Sequence, residues 1–129
     1  MLYWLTKQEV LAMHSLQITH FGGATGMRDE GLLESALARA QNIATYAEST
    51  PSLVQLAAAY GAGIVRNHPF VDGNKRAGFV IGVLFLELNG FKLRASEEDA
   101  TQAVMSLAAG TLDEAGYREW LRENARRNR

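Results

Sequence analysis

The run His68-Pro69-Phe70-Val71-Asp72-Gly73-Asn74-Lys75-Arg76 puts a base, a carboxylate, an amide and two cations into nine consecutive residues. Histidine titrates near neutrality, so His68 suits the task of taking the proton from an attacking hydroxyl. Gly73-Asn74-Lys75-Arg76 stands where a helix is expected to begin. Free backbone N–H groups and the positive end of the helix dipole favour an anion there. Gly73 lets the backbone come close to that anion, while Lys75 and Arg76 add charge and forked hydrogen bonds to phosphate oxygens. Asp72, next to such a site, is the natural carboxylate for a Mg²⁺ that keeps most of its waters and bridges a nucleotide. The combination predicts phosphoryl or nucleotidyl transfer and does not choose between them. Taken singly, each residue has a plainer account: a helix cap for His68, a turn for Asp72-Gly73-Asn74, a solvated pair for Lys75-Arg76. Their crowding into one segment favours chemistry over these accounts. Phe70 is expected to be the apolar pin of the loop, and Val71 is given no role.

Helices must hold this loop. Thr6-Lys7-Gln8-Glu9 has the capping-box spacing, and Val10, Met13, Ile18 and Phe21 continue at helical period to Gly22-Gly23. Asp29 caps a second helix whose Leu32, Leu33, Ala36, Leu37, Ala40 and Ile43 form one apolar stripe. Thr50-Pro51 predicts the start of a third helix, with proline at its first position, running through Leu53, Leu56, Tyr60 and Ile64. Pro69 cannot lie inside that helix and disfavours helical dihedrals at His68, which is therefore expected at its exit. From about Asn74 the stretch Ala77 to Leu88 is apolar on nearly every side, as for a buried central helix. Asn89-Gly90 stops it, and Phe91-Lys92-Leu93 suggests a short extended piece. A fifth helix begins at Ser96-Glu97-Glu98-Asp99 and closes at Gly110. A sixth, from about Asp113, ends in Arg122, Arg126, Arg127 and Arg129, cations that suit a helix terminus. The expected fold is all-α, a single domain over residues 1–129: a bundle of about six helices, the active-site loop leading into a central buried helix.

The whole chain narrows the partners. A formal net charge of -1 gives no basic field for nucleic acid, so direct nucleic-acid binding is not expected. Cysteine is absent, which removes disulfides, thiolate metal sites and sulfur nucleophiles. The start Met1-Leu2-Tyr3-Trp4-Leu5 has no basic leader and no stretch reaches membrane-span length, so a cytoplasmic protein without a membrane partner is expected. His14 and His20 have no acid or thiol at ligand spacing and read as ordinary helix residues, while Trp4 and Trp120 read as core.

The loop closely resembles the signature of the Fic/Doc family, His-Pro-Phe-x-Asp/Glu-Gly-Asn followed by Gly or Lys and then Arg. Gly22-Gly23 through Arg28-Asp29-Glu30-Gly31-Leu32-Leu33-Glu34-Ser35-Ala36 also resembles the N-terminal segment of Doc-type members. The resemblance implies that His68 is the general base and Asp72 the metal ligand. It implies that Gly73, Asn74, Lys75 and Arg76 bind phosphate, with Arg66 assisting, and that ATP and Mg²⁺ are the cofactors. Two departures bear on the subclass: Lys75 stands where the AMP-transferring pattern has a second glycine, and Phe79 where it has a second arginine. A lysine fills and charges space that a glycine leaves open for a deeply bound nucleotide. The Doc branch, which has this lysine, is implied to move the γ-phosphate of ATP to a threonine of elongation factor Tu and halt translation. The alternatives are a Fic-type protein adenylyltransferase and a non-catalytic phosphate- or partner-binding module. No inhibitory Ser/Thr-x₃-Glu-Gly/Asn pattern occurs, so by resemblance inhibition comes from a Phd-like antitoxin.

Overall fold

The computed structural model describes residues 2–128, so Met1 and Arg129 of the expectations above lie outside the described residues. Helix α1 (Lys7–Phe21) starts at the expected box: the Thr6 hydroxyl accepts from the Glu9 N–H, and the Glu9 carboxylate accepts from the Thr6 N–H at 2.8 Å. Asp29 caps α2 (Glu30–Tyr46), Ser96 caps α5 (Glu97–Ala109) and Asp113 caps α6 (Glu114–Asn124). In each case the side chain accepts from the N–H three residues on, which satisfies one otherwise orphaned donor.

Helix α3 (Leu53–Asn67) corrects one boundary. Its cap is Ser52, whose hydroxyl accepts from the Gln55 N–H at 3.2 Å, so Pro51 precedes the helix and Thr50 does not cap it. Helix α4 (Asn74–Leu88) follows the loop. These two helices share the centre of the molecule. Residues 56–65 of α3 are all buried, making α3 the more enclosed of the pair, with α2, α4 and α6 packed around it. α4 buries Ala77, Gly78, Ile81, Gly82, Phe85 and Leu86 against it. The crossing is close because it lacks side chains: a Cβ on Gly78 would lie 2.9 Å from the Gly61 carbonyl oxygen. The last turn of α3 and the first turn of α4, which carry the site, are thereby fixed relative to each other.

Strand β1 (Phe91–Leu93) pairs antiparallel with β2 (Ala125–Arg127), setting Lys92 opposite Arg126. The expectation that Arg126 and Arg127 close the last helix is therefore corrected. α6 stops at Asn124 because the Arg94 N–H takes the Asn124 carbonyl and the chain then joins the ribbon. The small ribbon leaves the all-α class intact. Phe21, expected on the inner stripe of α1, is 56% exposed, and His14 faces inward instead. Trp4 and Trp120 sit half-buried at the margin of the core. Among the described residues no helix is long and apolar enough to cross a membrane.

Candidate functional site

His68 ends α3 in the left-handed region, φ 52° and ψ 53°, where the rule for residues before proline would have placed extended backbone. The reason is capping: in this conformation its N–H reaches the Ile64 carbonyl at 3.0 Å. Among the described residues it is the one non-glycine residue at positive φ. Histidine tolerates that region better than most residues do, and such outliers collect at functional sites. Its imidazole is exposed.

The loop below it is braced from two sides. Phe70 is buried, as an apolar pin should be. The Asn74 side chain is also buried and is spent on the loop: its amide oxygen accepts from the Phe70 N–H at 2.9 Å and its NH₂ donates to the Phe70 carbonyl at 3.0 Å. For an anion Asn74 therefore offers its backbone N–H and not its side chain. The segment after α1 grips the other side. Arg28 donates to the carbonyls of His68 at 2.6 Å and Asn67 at 2.8 Å. The N–H groups of Arg28 and Asp29 both reach the Pro69 carbonyl, and the Val71 N–H reaches the Gly26 carbonyl.

Asp72 receives hydrogen bonds from the Ala24 N–H at 3.1 Å and the Gly73 N–H at 2.8 Å. These bonds hold its carboxyl below the usual carboxylate range, with the Ala24 contact the larger cause, so at neutral pH it is ionised. It remains exposed. Gly73 precedes α4 at φ 76°, and a Cβ there would lie 3.2 Å from Ile18 Cδ1. Glycine is thus needed for the close packing of α1 as much as for any approach of an anion. No side chain caps α4, so the N–H groups of Asn74, Lys75 and Arg76 point forward without intrahelical partners. Lys75 and Arg76 are exposed beside them, and the Arg76 guanidinium stands 4.1 Å above the Phe21 ring.

His68, Asp72, Gly73, Asn74, Lys75 and Arg76 all line one cavity of about 740 Å³, whose remaining lining mixes the apolar Phe79, Val80, Val104 and Met105 with the polar Glu97 and Thr101 of α5. Arg66 does not join them. Its guanidinium faces Glu114 at 3.6 Å and lines a separate depression with Arg39 and Arg118.

A Mg²⁺-bound nucleotide fits this donor set. Mg²⁺ takes one or two carboxylates together with phosphate oxygens and waters, and Asp72 supplies an ionised carboxylate beside unpaired N–H groups suited to phosphate. Among the described residues no three His, Asp or Glu side chains gather as a cage of their own. Gln17 lines the same cavity, its Oε1 enclosed and without a hydrogen-bond partner.

The motif alone did not single out Gln17, Arg28 or His14. Arg28 had a signal, since it lies in the glycine-rich segment that resembles Doc-type members. His14 had none, because Asp72 and Phe70 are remote in sequence, and nothing in the pattern marked Gln17.

Comparison with known proteins places the chain among relatives of one family. The model of the Fic/DOC family matches residues 4–86, a span that includes the whole 68–76 loop. The chain is similar to a protein named Protein kinase doc from Escherichia phage P1, 33% identical over 118 residues and 92% of each chain. It is also similar to one named Toxin Doc from Mycolicibacterium smegmatis, 36% identical over 107 residues, 82% of this chain and 80% of that one.

Proposed function

Because the chain belongs to the Fic/DOC family, we propose that it is the toxin of a toxin–antitoxin pair and moves the γ-phosphoryl group of ATP to a protein hydroxyl. The names of its relatives support the toxin and the kinase halves of this reading. The observation that carries it is the uncapped N-terminus of α4 opening on the same cavity as His68 and Asp72. The N–H groups of Asn74, Lys75 and Arg76 hold phosphate oxygens, with the Lys75 and Arg76 side chains adding charge. His68 accepts the proton of the attacking hydroxyl. The hydroxyl oxygen bonds to the γ-phosphorus as the bond from that phosphorus to the bridging oxygen breaks, and ADP leaves. Mg²⁺, held at Asp72, would neutralise negative charge on the phosphates. Arg66, turned toward Glu114, is left out of the phosphate group. Lys75 favours transfer of the γ-phosphate over AMP, since its side chain lines the cavity where a glycine would leave space.

The target is a threonine of elongation factor Tu, the setting the cytoplasm, and the inhibitor a Phd-like antitoxin that folds as a helix against this chain. Pulse-labelling of new protein after induction tests the physiological half. Synthesis is expected to fall before growth stops, and to persist when the cognate antitoxin is co-expressed. Arrested cells that go on making protein at the uninduced rate would rule out a block in translation.

A further inference from the structure

We infer that His14, a helix residue outside the signature loop, is a positioning residue for the transfer reaction. It is 6% exposed and belongs to α1, yet its Nε2 lies 2.8 Å from the Asp72 carbonyl oxygen, 58 residues away. A carbonyl only accepts, so Nε2 carries the hydrogen and His14 donates. The ring also stacks on Phe70, centroids 3.7 Å apart and planes 5° from parallel. One side chain thus grips the loop at two points between the base and the metal ligand: the aromatic pin Phe70 and the backbone of Asp72 itself. The next turn of α1 continues the grip, with Ile18 close to Gly73. None of the other braces reaches the Asp72 carbonyl. Asn74 ties Phe70 from within the loop, Ala24 and Gly73 hold the Asp72 carboxylate, and Arg28 holds the end of α3. Among the described residues, His14 Nε2 is the one donor recorded on the Asp72 carbonyl.

Losing that bond leaves the peptide between Asp72 and Gly73 tethered only by the Gly73 N–H to the Asp72 carboxylate, directly before the phosphate-binding turn. Misplacement of a reacting group by about 1 Å can cost on the order of 100-fold in rate. The N–H groups of α4 stay in place because Gly78 and Gly61 fix that helix against α3. The defect should therefore fall on kcat and spare KM for ATP.

The role rests on the transfer reading above, while the contact itself does not. Two variants separate donor from ring: H14F keeps an aromatic ring on Phe70 and loses the N–H, whereas H14Q supplies an amide NH₂ at similar reach and loses the ring. H14F is expected to lower kcat roughly 10- to 100-fold with KM for ATP changed less than about threefold, and H14Q to recover most of the lost rate. Backbone hydrogen exchange at Val71 and Gly73 should quicken in H14F and return toward the wild-type rate in H14Q. Nitrogen NMR of the wild-type imidazole should report the Nε2-protonated tautomer. Wild-type kcat in H14F, equal loss in H14Q and H14F with both proteins melting as the wild type does, or an Nδ1-protonated tautomer would each overturn the assignment. If the wild type transfers no label from ATP, the functional reading fails instead, and exchange and tautomer still decide the contact.

Discussion

Replacing His68 should remove toxicity: the transfer rate is expected to fall roughly 100- to 10,000-fold, the usual contribution of a positioned general base. The choice of substituent matters because His68 sits at φ 52°. Alanine in the left-handed region costs about 1–2 kcal/mol, so His68→Ala would mix a fold defect with a chemical one. Asparagine tolerates that region and has no titratable proton acceptor, so His68→Asn isolates the chemistry. The imidazole is exposed, and stability should stay within about 0.5 kcal/mol of wild type. A growth assay on induction and a melting curve on the same variant check both halves. Continued arrest by His68→Asn would remove the residue from the role of base.

The second large effect is on the fold. Gly78→Val is expected to destabilise by about 3 kcal/mol, near the top of the usual range for overpacking, because its Cβ would meet the Gly61 carbonyl at 2.9 Å and Val65 Cγ2 at 2.7 Å. Val65 can adjust its rotamer, but the backbone of α3 cannot move without shifting the whole crossing. Valine gains little over glycine in helix propensity, so the clash dominates. For a domain of this size that loss lowers Tm by roughly 10 °C. Gly31→Ala in α2 is the control. Its Cβ meets only the Asp29 carboxylate at 3.4 Å, so the helix gains up to about 1 kcal/mol and Tm should hold or rise. If both variants melt alike, the close crossing does not limit stability. If Gly78→Val behaves as expected, activity should fall with it, since α3 delivers His68 and α4 delivers the anion site.

Much of this arrangement was legible in the sequence wherever the cause was local. The Thr6–Glu9 box, the Asp29, Ser96 and Asp113 caps, and the stops at Gly22 and Gly110 are short-range chemistry, and the helices begin and end beside them. Thr50 misled because Ser52 is an equally good cap two residues on, and only the packed helix selects between them. The misreadings of Arg126, Arg127 and His14 have a different origin. Strand β2 exists because Phe91–Leu93 lies alongside it, a pairing that no local pattern reveals. His14 looks like any polar residue on α1 until Asp72 and Phe70 arrive from far along the chain. The resemblance implied an assisting role for Arg66, yet on the last turn of α3 it points to Glu114 instead of the cavity. The motif's residue types were visible, whereas the division of labour within it was not: Asn74 spends its side chain holding Phe70 and leaves only its N–H for an anion.

Whether the proposed transfer moves the γ-phosphate of ATP is decided by the position of the label. Purified protein with Mg²⁺, a cell lysate and ATP labelled at either the α or the γ phosphorus should mark a protein of the size of elongation factor Tu from γ label alone. His68→Asn should leave that band unmarked. Marking from α label would make the reaction AMP transfer and contradict the reading drawn from Lys75. Absence of both labels, from protein that arrests growth, would contradict catalysis at this site altogether.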